Sequence, residues 1–74
     1  MGTNILYVED NPDNMLLVKR VLEAQGYHLL EARTGAEGII VAEANEVALI
    51  LLDINLPDVD GYEVARRLRS SVKP

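Results

Sequence analysis

Short apolar runs and longer amphipathic stretches alternate along the chain. The runs are too short for helices and are typical of buried strands, whereas the stretches carry apolar residues at helical spacing. We predict strands at residues 4–8, 27–32 and 47–52. Because strand and helix follow each other three times, the pattern predicts an α/β fold with a parallel sheet and right-handed crossovers.

Capping residues indicate where the helices begin. Asn11, which a proline follows, predicts the start of the first helix, and Gly26 suits its end. Thr34 precedes the second helix as a turn or cap residue. Asp60, with a glutamate three residues later, predicts the start of a third helix.

Acidic residues stand directly after two of the predicted strands. Glu9 and Asp10 follow the first strand, and Asp53 follows the third. Each alone could simply cap the next helix, but parallel strands would bring all three carboxylates to one edge of the sheet. Such a cluster suits Mg²⁺, to which Asn55 could add a backbone carbonyl. Beside the cation, Asp53 could act as a nucleophile toward phosphorus and form an aspartyl phosphate.

Composition narrows the class of protein. The 74 residues are 49% hydrophobic and include no Trp, Phe or Cys, so we expect one small domain with an aliphatic core and no disulfide. The formal net charge of −5 argues against binding to nucleic acid. No apolar run is long enough to span a membrane, and no signal peptide is evident, so we expect a soluble cytoplasmic chain.

Two motifs carry a resemblance to a known family. The first is ILYVEDNP at residues 5–12, and the second is LILLDINLPDVDG at residues 49–61. Both resemble the receiver domain of two-component response regulators, and the similarity extends over the whole chain. The resemblance implies a flavodoxin-like fold with strand order 2-1-3 for the part present, in a signalling module that is not an enzyme.

The same resemblance implies a role for each site residue. Asp53 would be the phosphoacceptor, receiving its phosphoryl group from a histidine kinase or a phosphotransfer protein. Glu9 and Asp10 would form the acidic pair for Mg²⁺, and Asn55 would give its carbonyl to the metal. Pro57, together with the glycine at position 61, would shape the loop beside the site.

The resemblance covers only the first three of the five strand–helix units in the family's fold. We therefore expect residues 1–74 to be a truncated receiver, whether natural or engineered. The family's fourth strand carries a Ser or Thr that contacts the phosphate, and its fifth carries a Lys that pairs with it. Neither has a counterpart here, so we expect weak, short-lived phosphorylation and loss of the usual switch.

A half domain would leave the third strand with an unpaired edge. Residues 47–52 include no charge, Pro or Gly, which makes such an edge prone to association. We therefore expect a homodimer through the third strand, with strand order 2-1-3-3′-1′-2′. The alternative function is a self-associating structural module without phosphotransfer. A phosphohydrolase is disfavoured, because Asp53-Ile54-Asn55 lacks the second acid that such enzymes need.

Overall fold

The computed structural model describes residues 2–53 and Arg66. Its elements are β1 (Asn4–Val8), α1 (Pro12–Ala24), β2 (His28–Ala32), α2 (Gly35–Ala44) and β3 (Leu49–Leu52). Apart from Arg66, which is helical, the predicted third helix lies outside the described residues, as do Asn55, Pro57 and Gly61. Within residues 2–53, neither helix is long and apolar enough to cross a membrane.

The three strands form one parallel sheet in the order β2-β1-β3, which confirms the predicted topology. Leu6 of β1 lies between Leu30 of β2 and Ile50 of β3. The second strand begins one residue later than predicted, because the Tyr27 amide donates to the carbonyl of Leu22 in α1 at 3.1 Å. The third strand begins at Leu49, two residues later than predicted.

Both helices begin at the capping residues that the sequence predicts. Asn11 Oδ1 accepts hydrogen bonds from the backbone amides of Asp13 at 2.9 Å and Asn14 at 3.1 Å. The Oγ1 of Thr34 accepts one from the amide of Glu37 in the first turn of α2 at 3.1 Å. The chain leaves α1 through Gly26, whose φ of 92° is a conformation that favours glycine.

The core has two layers, one on each face of the sheet. Leu6 and Val8 of β1 are fully buried and pack with Ala32 and Ala42 on the α2 face. Ile5 packs on the opposite face, where its partners are Met15 of α1 and Leu29 of β2. Because β1 has an apolar layer on both sides, packing fixes its backbone as far as Val8, the residue before Glu9.

Candidate metal centre

Backbone pairing continues one residue beyond the strands and places two of the acids next to each other. The amide of Glu9 donates to the carbonyl of Ala32 at 2.9 Å, and the amide of Asp53 donates to that of Val8 at 3.0 Å. Glu9 and Asp53 are therefore fixed at the carboxyl ends of neighbouring parallel strands, where open α/β sheets bind their ligands.

The three predicted acids meet at this edge. Glu9, Asp10 and Asp53 each offer a carboxylate oxygen, and these oxygens all lie within 4.8 Å of one another. Glu9 is buried, Asp53 is half-buried and Asp10 is exposed, so the cluster is open on one side. The sequence prediction that these residues converge is thus met by the geometry, whereas the fourth predicted ligand, Asn55, lies outside the described residues.

Glu9 is the most enclosed of the three acids, with only 3% of its surface exposed. One carboxylate oxygen, Oε1, accepts a hydrogen bond from Asn14 Nδ2 at 2.6 Å. The other oxygen, Oε2, is buried and has no hydrogen-bond partner among the described residues. A buried carboxylate oxygen without a donor is costly, and a bound cation would remove that cost.

Two groups at this edge of the sheet have pKa values above their ordinary ones. The pKa of Glu9 lies above its ordinary value, chiefly because its protonated carboxyl group can donate to Asp53, and further because of burial and repulsion. The Asn14 amide acts in the opposite direction, since it stabilises the ionised form. The pKa of Tyr7 is raised by burial first and then by the charges of Glu9 and Asp53.

These residues fit Mg²⁺ well. The ion prefers carboxylate and other oxygen ligands and keeps several of its waters, which a cluster with one open side allows. When bound, the cation would neutralise the repulsion between the acids and supply positive charge beside Asp53. Glu9 would serve through its unpartnered Oε2, and Asp10 and Asp53 through the carboxylates that approach it.

A cleft of about 220 Å³ adjoins the acids on the α1 side of the sheet. Its walls combine apolar residues of α1 with charged side chains of both signs, and beyond Glu9 and Asp10 they include Pro12, Met15, Leu16, Lys19, Glu31 and Arg33. Lys19 Nζ lies 3.1 Å from Glu31 Oε2, and this exposed ion pair contributes little to stability. The cleft gives a second molecule room to approach the acidic cluster.

One residue of this centre is not predicted by the sequence pattern. It is Asn14, whose side chain donates a hydrogen bond to the buried Glu9 at 2.6 Å. Its position is the third residue after the Asn11 cap, where a side chain commonly reaches back toward the start of the helix. This spacing is the feature of the sequence that could have identified Asn14.

Fold and site together define an α/β domain with a cluster of three acids at the carboxyl edge of a parallel sheet. The chain belongs to the response regulator receiver domain family, whose sequence model matches residues 5–74. It is 41% identical over 69 residues to the polar-differentiation response regulator DivK of Brucella ovis. That match covers 93% of this chain but only 56% of DivK, so the chain spans about half the length of this relative.

Two solved structures support the assignment. The receiver domain of the sensor histidine kinase PA1611 from Pseudomonas aeruginosa, crystallised with magnesium in its active-site cleft, superposes with a TM-score of 0.88. It is 36% identical, and the alignment covers 95% of this chain and 57% of that one. The complex of histidine kinase ThkA with response regulator TrrA contains a chain that is 34% identical, with a TM-score of 0.86 and coverage of 92% and 59%.

Proposed function

We propose that this chain is the phosphoacceptor of a two-component pathway, with Asp53 as the residue that is phosphorylated. Mg²⁺ would be held by Glu9, Asp10 and Asp53, with Asn55 adding its backbone carbonyl. The observation that carries the proposal is the convergence of three carboxylates at the ends of β1 and β3, around a buried oxygen that lacks a donor. The magnesium ion in the PA1611 receiver domain supports the choice of metal.

Asp53 suits the role of nucleophile better than the enclosed Glu9 does. It is half-buried, so one carboxylate group can meet both the cation and an incoming phosphoryl group, whereas Glu9 is enclosed. In the proposed reaction an Asp53 oxygen bonds to phosphorus while the bond from phosphorus to the donor breaks. The donor leaves with the bonding electron pair, and the product is an acyl phosphate.

A histidine kinase, or a phosphotransfer protein with a phosphohistidine, is the proposed donor. The similarity to a chain of the ThkA–TrrA complex supports this class of partner. The cleft beside Glu9 and Asp10 would give the donor room to approach, and Arg33 on its wall could pair with a phosphoryl oxygen.

Mass spectrometry of the intact 74-residue chain tests this function. Incubation with acetyl phosphate and Mg²⁺ should add about 80 Da, and the adduct should be absent from Asp53→Asn, because only a carboxylate can form the acyl phosphate. Asp13→Asn is the matched control, since it removes another exposed acid near the site and should leave phosphorylation unchanged. An adduct of equal yield in Asp53→Asn would rule out the proposed phosphoacceptor.

A second proposal concerns association of the chain with itself. In the described part of the chain, β3 is an edge strand that pairs with β1 on one side, and its Leu49 is 52% exposed. We propose that two copies of the 74-residue chain pair through β3 and extend the sheet across a twofold axis. This arrangement would also serve the alternative function of a self-associating structural module, for which Asp53 need not be phosphorylated.

A further inference from the structure

Asn14 occupies an unusual place relative to the acidic centre. It lies in the first turn of α1, and its backbone amide donates to Asn11 Oδ1 at 3.1 Å. In a capping box the side chain at this position bonds to the backbone of the cap residue. Here the side chain instead passes the cap and donates to Glu9 Oε1 at 2.6 Å.

The bond meets a specific need of Glu9. This carboxylate is buried and lies beside Asp53, so neither solvent nor that adjacent acid can supply a donor while both acids are ionised. The Asn14 amide supplies one donor and occupies Oε1. The second oxygen, Oε2, is then the one that remains open to a ligand.

We propose that Asn14 is a positioning residue for the cation: by holding Oε1 of Glu9, it keeps Oε2 presented to Mg²⁺, directly or through a water. The inference rests on the proposed function, since it assumes that Glu9 serves the cation. A hydrogen-bond partner of a metal-binding carboxylate commonly fixes its orientation and affects affinity.

A neutral amide is the chemistry this position requires. An aspartate at position 14 would place a fourth carboxylate in hydrogen-bonding range of Glu9 and could not donate when ionised. A lysine or arginine would bring a permanent positive charge to the acid and compete with the cation. Asparagine donates without adding charge, so the attraction of the three acids for Mg²⁺ is preserved.

Calorimetric titration of the 74-residue chain with Mg²⁺ is the first test. Asn14→Leu keeps the size of the side chain but removes the donor, and we expect its Kd for Mg²⁺ to rise by about tenfold or more. Gln25→Leu is the matched control, because it replaces an exposed amide at the other end of α1, and its Kd should stay within twofold of the parent. A parent-like Kd in Asn14→Leu overturns the inference.

A double-mutant cycle tests whether Asn14 acts through Glu9. Glu9→Gln should itself weaken Mg²⁺ binding, and adding Asn14→Leu to it should then change the Kd by less than about twofold, because the two residues act as one unit. A general contribution of Asn14 to the helix would instead weaken binding equally in both backgrounds. That result would contradict a positioning role.

Nuclear magnetic resonance on the unmodified chain keeps the inference testable if the Leu variant does not fold. Saturation with Mg²⁺ should shift the side-chain amide resonances of Asn14, while those of Gln25 stay in place. Asn14 resonances that do not move would overturn the inference even though the parent binds Mg²⁺. A parent that fails to bind Mg²⁺ at all would instead overturn the proposed metal site, and the role of Asn14 with it.

Discussion

Glu9 is subject to two opposing requirements. Burial and the nearby Asp53 favour its protonated form and raise its pKa, while the Asn14 hydrogen bond favours its ionised form. A cation site needs the ionised form, so in the absence of metal the residue costs the folded chain stability at neutral pH. Under the proposed function, Glu9 is placed for cation binding at the expense of stability in the metal-free fold.

Neutralising this side chain should therefore stabilise the chain in the absence of metal. Glu9→Gln should raise the free energy of unfolding at pH 7 by about 1 kcal/mol, because a buried carboxylate oxygen without a donor is no longer ionised. The check is urea unfolding in the presence of a chelator. Glu43→Gln, an exposed change in α2, should have almost no effect.

The pH dependence has a definite sign. Because the pKa of Glu9 is raised, the folded state holds the proton more tightly than the unfolded state does. The stability that the protonated Glu9 contributes to the fold is fully present below the ordinary glutamate pKa of 4.5. It is lost as the pH rises through the raised pKa. Glu9→Gln should remove this component, and an unchanged pH profile would contradict the assignment.

The contact between α2 and β1 depends on the absence of a side chain at one position. A Cβ added to Gly38 would lie 2.8 Å from Val8 Cγ2, closer than a carbon contact allows. The sequence indicates only that this glycine has a low helix propensity, about 1 kcal/mol less favourable than that of alanine. The structure shows that it also lets α2 approach the residue that precedes Glu9.

Gly38→Ala should consequently destabilise the chain rather than strengthen the helix. Crowding of Val8 should cost about 1–3 kcal/mol, which outweighs the gain in propensity. Thermal or urea unfolding measures the net change in the free energy of unfolding. Glu43→Ala is the control because it adds alanine on the exposed side of the same helix, and it should change stability by no more than about 0.5 kcal/mol. A more stable Gly38→Ala would show that α2 can shift without loss.

At the scale of the whole molecule, the edge of β3 that has no paired strand among the described residues is the feature with the largest consequence for association. Leu49→Lys should shift the 74-residue chain from dimer to monomer, because a charged side chain on an edge strand opposes pairing with another edge. Sedimentation equilibrium at micromolar concentration provides the measurement. Ile40→Lys is the matched control: it removes a similarly exposed apolar side chain from α2 and should leave the dimer intact.

Two results of this experiment would argue against pairing through β3. One is a parent chain that sediments as a folded monomer at that concentration. The other is equal dissociation in Ile40→Lys, which would indicate a general apolar association rather than an extension of the sheet.

The sequence predicts much of this architecture because its signals are local. Apolar runs identify all three strands, and Asn11 and Thr34 identify where the helices start. The order of the strands is not local: the pattern predicts only a parallel sheet, and the order 2-1-3 came from the family resemblance. The apolar pattern within one strand does not identify the strands with which it pairs.

The same distinction applies to the site. The three acids are predictable because they follow strands. The carboxyl ends of parallel strands lie at one edge of the sheet, so these acids come together there. Asn14 and Gly38 are harder to predict. The capping-box spacing of Asn14 does not show that its side chain passes the helix cap and reaches Glu9, and the role of Gly38 depends on the distance between a helix and a strand. Both roles depend on three-dimensional contacts.

The central position of β1 also has a kinetic consequence. Leu6 is paired with Leu30 on one side and with Ile50 on the other, so the second pairing closes a much longer loop than the first. Contacts between distant parts of a chain form late, because loop closure must precede them. An intermediate with only β1 and β2 joined would hold Glu9 and Asp10 without Asp53. The proposed cation site should therefore be completed only when β3 docks, and the onset of Mg²⁺ binding during refolding would show when that step occurs.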